Sequence, residues 1–273
     1  MQSQVNSVST RKAWKPSAAI KASAVLHVGA LAGLAAGVGW PWVLGGLFAN
    51  HALLTTAGLW PRSTLLGNNM LRLSQAACDA QQIAITIDDG PNPQVTPAVL
   101  DMLDTANAQA TFFCIGTAVE LHSHLAREII RRGHTIENHS YAHRHHFSFM
   151  GLGQLRTEIS RAQSVISQVT GRSPVYFRAP AGLRSPLLDP VLQSLNLQLV
   201  SWTRRGFDTV ATDPGKVLGR LEKNLAAGDI LLLHDGHSAT CANGKPVVLD
   251  VLPRLLATIQ TRSLHAVSLR DAA

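Results

Sequence analysis

The sequence predicts an α/β domain built on a parallel sheet that is closed or nearly closed, preceded by an apolar N-terminal segment. From residue 82 onward, seven strand-like runs alternate with helix-like runs, a pattern typical of parallel sheets covered by helices. Residues 22–61 contain no Asp, Glu, Lys or Arg. An open, doubly wound sheet is the alternative, but no glycine-rich phosphate loop follows the first strand-like run.

The predicted strands cover residues 82–87, 109–114, 135–137, 175–178, 198–202, 229–233 and 265–269. The predicted helices cover residues 95–107, 118–132, 152–170, 186–195, 213–227 and 246–261. Glycines and prolines separate many of these runs, as expected at turns between elements.

The charge distribution argues against nucleic acid as a partner. The net charge is +7, but residues 1–80 hold six Lys or Arg and only one acid, so the remaining chain is nearly neutral. A nucleic-acid-binding domain would carry its basic residues on the folded domain itself. The three cysteines lie far apart and form no CxxC motif, which argues against a disulfide framework.

The apolar N-terminal segment predicts membrane association. Forty helical residues extend about 60 Å, twice the thickness of a bilayer core. We therefore expect a basic tail over residues 1–21, followed by a transmembrane helical hairpin over residues 22–60. Its turn is expected at Trp40-Pro41-Trp42, because proline breaks helices and tryptophan favours the membrane interface. A single anchor and a cleaved signal peptide are the alternatives.

Basic residues flank this segment on both sides: Arg11, Lys12, Lys15 and Lys21 before it, and Arg62 and Arg72 after it. The positive-inside rule then places both flanks in the cytoplasm. The sequence thus predicts a bacterial inner-membrane protein with a two-span hairpin, a linker over residues 61–81 and a cytoplasmic catalytic domain over residues 82–273. A single anchor would instead place that domain outside.

Two adjacent carboxylates, Asp88 and Asp89, end the first predicted strand, directly before Gly90-Pro91. Active sites of barrel-like α/β folds lie at the carboxyl ends of their strands. Neighbouring residues on a strand point to opposite sides, so one acid can bind a metal while the other handles a proton. A turn in which the acids only cap and solubilise is the alternative.

A histidine pair follows the third predicted strand. His139 and His143 are spaced i, i+4, and two histidines with one carboxylate form a zinc-type ligand set that leaves positions open for water and substrate. A solvated surface is the alternative for such a pair, and we expect His145 and His146 to be surface residues of this kind.

Four ordered motifs in residues 80–270 resemble those of the polysaccharide deacetylase family, also called the NodB-homology domain or carbohydrate esterase family 4. They are Thr86-Ile87-Asp88-Asp89-Gly90-Pro91, His139-Ser140-x-x-His143, Arg178-x-Pro180-x-Gly182 and Leu232-Leu233-His234. The resemblance implies a distorted (β/α) barrel that uses a divalent metal to hydrolyse N- or O-acetyl groups on sugars.

The resemblance also implies roles for individual residues. Asp89, His139 and His143 match the metal ligands, with zinc as the expected ion and cobalt or nickel as alternatives. Asp88 matches the general base, His234 the general acid, Arg178 the residue that orients the base, and Asp208 the acid that holds the catalytic histidine. Ala181 matches the donor of an oxyanion-binding N–H, and Trp202 and Leu232 match the lining of the acyl pocket.

Three positions depart from the family pattern. Ile87 replaces a usual Phe, Ala181 stands where Tyr is common, and Thr209 stands where Trp often follows the acid. These departures concern substrate choice more than chemistry.

The predicted function is a membrane-anchored, metal-dependent hydrolase that removes N-acetyl groups from amino sugars of a glycan or glycolipid. Its expected partners are an acetylated amino sugar, including lipid-linked forms, and the membrane. A deformylase, an O-deacetylase and an inactive glycan-binding protein are the alternatives.

Overall fold

A computed structural model describes residues 14–272 and contains a single curled sheet of parallel strands. The strands are β1 (Gln82–Asp88), β2 (Ala110–Cys114), β3 (Thr135–Asn138), β4 (Tyr176–Phe177), β5 (Gln198–Leu199), β6 (Arg204–Arg205), β7 (Ile230–His234) and β8 (His265–Val267). Seven of them follow the order β5-β4-β3-β2-β1-β7-β6, and β8 pairs with the beginning of β1.

The two edge strands of the sheet are neighbours in sequence: residues 200–203 connect β5 at one edge to β6 at the other. Because such a connection spans at most about 18 Å, the two edges lie close together and the sheet is nearly closed into a barrel. The predicted distorted (β/α) barrel is therefore confirmed. The sequence did not predict β6, because a strand of two residues carries no period-2 pattern.

Helices cover the outside of the sheet. They are α3 (Gln75–Asp79), α4 (Thr96–Thr105), α5 (Gly116–Leu121), α6 (Ser123–Arg131), α7 (Leu152–Thr170), α8 (Leu188–Ser194), α9 (Pro214–Glu222) and α10 (Val247–Thr261). Apolar side chains of α4, α6, α9 and α10 pack on those of β1, β2 and β7 to form the largest core cluster. Apolar side chains of α7, α8, β4 and β5 form a second core cluster, which includes Phe147 and Phe177.

Two predicted helices differ from the structure. The helix expected over residues 118–132 is divided at His122, which leaves helical geometry with φ −118° and ψ 45°. The helix expected over residues 213–227 ends at Glu222, since Lys223 and Asn224 leave the helix and Asn224 has a positive φ of 54°. Neither break is marked by a proline or glycine at that position, so no local signal in the sequence predicts it.

The apolar segment forms two packed helices, α1 (Ala18–Ala35) and α2 (Trp40–Leu59). The expected turn at Trp40-Pro41-Trp42 is wrong. The chain turns at residues 36–39, where Gly37 has a positive φ of 83°, and Trp40 and Pro41 begin α2. Proline is favoured in the first turn of a helix, where no intrahelical N–H is needed.

Within residues 14–272, α1 is the one helix that is long and apolar enough to be a candidate membrane span, with a mean hydropathy of 1.6. Polar residues such as Asn50 and His51 interrupt α2. A two-span hairpin is therefore not supported, and the coarser conclusion is an N-terminal apolar helix suited to an anchor or a signal. Residues 1–13 of the predicted basic tail lie outside the described residues.

The predicted linker over residues 61–81 is packed against the domain. It contains α3, and the side chains of Leu66, Leu73 and Ala77 are buried. The Arg72 guanidinium bonds to the buried Asp229 carboxylate at 2.9 Å. Residues 61–81 are therefore an ordered, packed connection between the end of α2 and the barrel.

Candidate active site

A cavity of about 220 Å³ lies at the carboxyl ends of the strands. Eight of the ten predicted site residues line it: Asp88, Asp89, His139, His143, Ala181, Trp202, Leu232 and His234. The other two, Arg178 and Asp208, lie behind its wall and bond to Asp88 and His234. All ten predicted residues thus belong to one site.

The two adjacent carboxylates diverge because the backbone changes course between them. Asp88 ends β1 in the regular register opposite His234 of β7, whereas Asp89 has a positive φ of 76°. Gly90 allows this turn to pack tightly, since a Cβ at that position would collide with the carboxylate of Asp235. The Asp88 carboxylate consequently faces Arg178, and the Asp89 carboxylate faces the histidines.

Arg178 is a buried guanidinium in the middle of the barrel, with 1% of its side chain exposed. Its Nη1 donates to Asp88 Oδ1 and Thr86 Oγ1, both at 2.7 Å. Its Nη2 donates to the Ser201 carbonyl at 3.0 Å, and Phe113 covers one face. Burial lowers the pKa of Arg178 from its ordinary value, and the neighbouring Asp88 opposes this shift. Buried charges are tolerated when they are paired and fully hydrogen-bonded, as here.

Asp89, His139 and His143 bring their ligand atoms within 4.8 Å of one another. The Nε2 atoms of both histidines lie 3.3 Å from Asp89 Oδ1. That oxygen is buried and accepts no hydrogen bond from any described residue. A buried carboxylate oxygen without a donor, facing two imidazole nitrogens, fits a cation between the three side chains.

The protonation of the histidines suits metal binding. His139 Nδ1 lies 2.8 Å from the Arg178 carbonyl, which can only accept, so Nδ1 carries the proton and Nε2 is free to bind a metal. Burial lowers the pKa of His143 to about 4, which keeps that imidazole neutral at pH 7. Burial alone would raise the pKa of Asp89, but the neighbouring imidazoles of His139 and His237 lead to a net lowering.

His234 and Asp208 form a buried pair on the opposite side of the cavity. The Asp208 carboxylate accepts from His234 Nδ1 at 2.9 Å and from the His234 backbone N–H at 2.7 Å. Burial lowers the pKa of His234, but the bond to Asp208 and its charge outweigh this effect and raise it overall. The pair therefore holds a proton-bearing imidazole with its Nε2 side toward the cavity.

Other residues line the cavity to which the sequence assigned no role, among them His145, Arg205 and His237. His237 Nδ1 lies 2.9 Å from Asp89 Oδ2, although 62% of its side chain is exposed. His237 follows Gly236, where a Cβ would collide with the Asp89 backbone, so the glycine permits this approach. His145 is exposed as expected but still borders the cavity. These residues lie on loops or at the end of a very short strand, where no periodic pattern indicates their direction.

A family model described as polysaccharide deacetylase matches residues 76–200. A peptidoglycan-N-acetylglucosamine deacetylase from Bacillus cereus is 30% identical over 191 residues, covering 69% of this chain and 86% of that relative. The chain belongs to the polysaccharide deacetylase family. A chitooligosaccharide deacetylase from Azorhizobium caulinodans is 37% identical over 168 residues, covering 60% of this chain and 80% of that relative.

A family 4 carbohydrate esterase from Streptomyces lividans, solved with acetate, shares the polysaccharide deacetylase fold. It superposes with a TM-score of 0.63 at 28% identity, covering 72% of this chain and 97% of that structure. The described site belongs to this deacetylase domain, and its Asp-His-His group is suited to a metal ion.

Proposed function

We propose that this polysaccharide deacetylase is a membrane-anchored, metal-dependent hydrolase that removes N-acetyl groups from amino sugars, including lipid-linked ones. One observation carries the proposal: an arginine-held carboxylate, an Asp-His-His group and an aspartate-held histidine surround one small cavity. These three parts supply the base, the metal ligands and the acid that amide hydrolysis needs.

Asp89, His139 and His143 are the proposed metal ligands, with zinc as the proposed ion. A divalent metal held there would supply Lewis-acid chemistry for the acyl oxygen and for the attacking water. Asp88 accepts the proton of the attacking water. Arg178 fixes the direction of the Asp88 carboxylate through the 2.7 Å bond.

His234 donates a proton to the leaving amine, which would otherwise be a poor leaving group. Asp208 orients the imidazole and raises its pKa, so more of it carries the proton at neutral pH. The Ala181 N–H is the proposed donor to the developing oxyanion. Trp202 and Leu232 line the cavity where the acyl methyl would lie.

Membrane attachment through α1 is the second part of the proposal. The helix is apolar, and only 6% of its candidate span is buried by the rest of the protein. Its exposed side chains include Val25, Val28 and Leu31, which water disfavours and lipid accepts.

Acetate release from a panel of free, polymeric and lipid-linked N-acetyl amino sugars tests the proposed activity. We expect wild-type protein to release acetate and Asp88→Asn to be slower by about 10²–10⁴, the usual contribution of a positioned general base. Release of formate instead, from formamido sugars, would favour the deformylase alternative. Absence of turnover on every substrate by metal-loaded wild type would contradict the proposal.

The metal content of two variants distinguishes the proposed metal ligands from the proposed general base. Asp88→Asn should retain the metal after desalting, whereas His143→Ala should lose most of it. Equal stoichiometric zinc in wild type and His143→Ala would rule out the proposed ligand set.

A further inference from the structure

A second cavity, of about 450 Å³, lies beside the active site. We call it the cationic groove. Its charged and aromatic lining includes Arg62, Arg204, Arg205, Phe207, Arg220 and Lys223. No acidic side chain of residues 14–272 lines it. A concave surface with one sign of charge concentrates ligands of the opposite sign.

Most of these cations are not neutralised by a carboxylate, although Arg220 Nη1 donates to the Gly206 carbonyl at 3.1 Å. Arg204 is paired with Asp229 at 3.1 Å. In the described part of the chain, the other four have no carboxylate oxygen within 4.0 Å, as no ion pair involves Arg62, Arg205, Arg220 or Lys223. Structural arginines are usually neutralised by carboxylates, so these charges are available to an anion.

Arg205 is the most informative of them. Its Nε is buried yet donates to no described group, and a buried donor without an acceptor is costly. The guanidinium carbon lies 4.9 Å from the centre of the Phe207 ring, and that of Arg220 lies 5.5 Å from the same ring. The two arginines thus contact one exposed aromatic side chain that lies in the wall of the groove.

The groove adjoins the catalytic cavity, since Trp202 and Arg205 line both. Its other side is formed by Trp60, Pro61 and Arg62, which directly follow α2. A substrate with its acyl amide at the metal group would therefore extend toward the cationic groove and the end of the apolar helices.

We propose that the cationic groove binds a phosphate or diphosphate group carried by the amino-sugar substrate. Arginine is well suited to phosphate oxygens because its guanidinium donates two parallel hydrogen bonds. The site thereby selects glycosyl phosphates over neutral oligosaccharides. This inference rests on the deacetylase function proposed above, and it adds the substrate class.

The test compares wild-type protein, the double variant Arg220→Gln/Lys223→Gln and the control Arg254→Gln, each as the full metal-loaded chain in neutral detergent. Arg254 is an exposed arginine on α10 that does not line the groove. The measured quantity is the ratio of kcat/KM for N-acetylglucosamine 1-phosphate to that for the neutral methyl glycoside of N-acetylglucosamine.

We expect this ratio to be at least about tenfold in wild type, mainly through a lower KM, and to fall toward one in the double variant. Tenfold corresponds to the loss of one modest charge-assisted interaction. The control should keep the wild-type ratio. Equal kcat/KM for the two substrates in wild type, or an unchanged ratio in the double variant, would overturn the proposal.

Calorimetric binding of N-acetylglucosamine 1-phosphate to the same proteins gives a readout that does not require turnover. Weaker binding to the double variant supports the groove even if the acyl group removed is not acetyl, whereas equal binding overturns the proposal.

A comparison of kcat/KM for a polyprenyl-phosphate-linked N-acetyl amino sugar with kcat/KM for the soluble sugar phosphate identifies whether the phosphate belongs to a lipid-linked or a free substrate. If the variant only weakens binding to phosphatidylglycerol vesicles and leaves the substrate ratio unchanged, the groove is a lipid contact and the proposal is wrong.

Discussion

At the scale of single residues, the site is built from pairs in which a buried partner fixes a reactive one. Arg178 fixes Asp88, and Asp208 fixes His234. All four residues could be predicted from the sequence, because each lies at a predicted strand end or matches a position of the family pattern. The sequence did not indicate His237 as a cavity residue, because loop side chains are directed by tertiary contacts.

The Asp208–His234 pair predicts a change in the pH dependence of catalysis. Asp208 raises the pKa of His234 against the effect of burial, so Asp208→Asn should lower that pKa. The acid form is then lost at lower pH, and the alkaline limb of kcat/KM should shift down by about 1–3 pH units, the usual effect of removing a close opposite charge.

The control for this profile is Asp79→Asn, an exposed aspartate of α3 outside the cavity. It should reproduce the wild-type curve. An alkaline limb that stays in place in Asp208→Asn, with retained metal, would show that His234 is not the titrating acid.

At the scale of elements, the attachment of α2 to the barrel depends on one glycine. The Gly58 carbonyl accepts from the Arg184 N–H at 3.1 Å, and a Cβ at Gly58 would collide with the Arg184 carbonyl. Arg184 follows the 3₁₀ turn Pro180–Gly182, which carries Ala181. The end of α2 therefore supports a loop of the cavity.

Two glycine substitutions in α2 should have opposite effects. Gly58→Ala should lower thermal stability by about 1–3 kcal/mol, because backbone must move to accept the methyl group, and should reduce turnover through the 180–184 loop. Apart from the adjacent backbone of α2, nothing in residues 14–272 lies within 4 Å of the place that a Cβ at Gly45 would take, so Gly45→Ala should be neutral or stabilising by up to about 1 kcal/mol. Unfolding in neutral detergent measures both, and equal stability of the two variants would contradict this role of Gly58.

Element boundaries show where sequence patterns suffice. The helix over residues 152–170 is confirmed in full, since long amphipathic runs are unambiguous. The turn at residues 40–42 was misplaced because Pro41 marks a helix start as well as a helix end. The division at His122 is not marked by a proline or glycine, so no local pattern predicts it.

At the scale of the whole molecule, the start of α1 is fastened to the catalytic domain. Trp14 Nε1 donates to Asp189 Oδ2 at 2.7 Å, and Ser17 Oγ donates to the Leu65 carbonyl at 2.7 Å. Any membrane that receives α1 must therefore leave residues 14–17 and the barrel on the same side.

Cysteine accessibility in intact cells tests this arrangement. Lys15→Cys and Arg127→Cys place thiols at exposed positions before α1 and on α6, and a membrane-impermeant maleimide should label both or neither. Native Cys78, Cys114 and Cys241 are replaced by serine to remove background. Labelling of one site with protection of the other would exclude the same-side topology.

Arg178 also has a consequence for how the site tolerates motion. Its guanidinium holds the Asp88 carboxylate, and its backbone carbonyl accepts from His139. The proposed proton acceptor, Asp88, and the proposed metal ligand, His139, are thus both hydrogen-bonded to the same residue. When thermal motion displaces Arg178, the Asp88 carboxylate and the His139 imidazole are displaced in the same direction, so the distance between these two groups changes less than their positions do. The relative position of the two groups therefore depends more on Arg178 than on the rigidity of the surrounding loops.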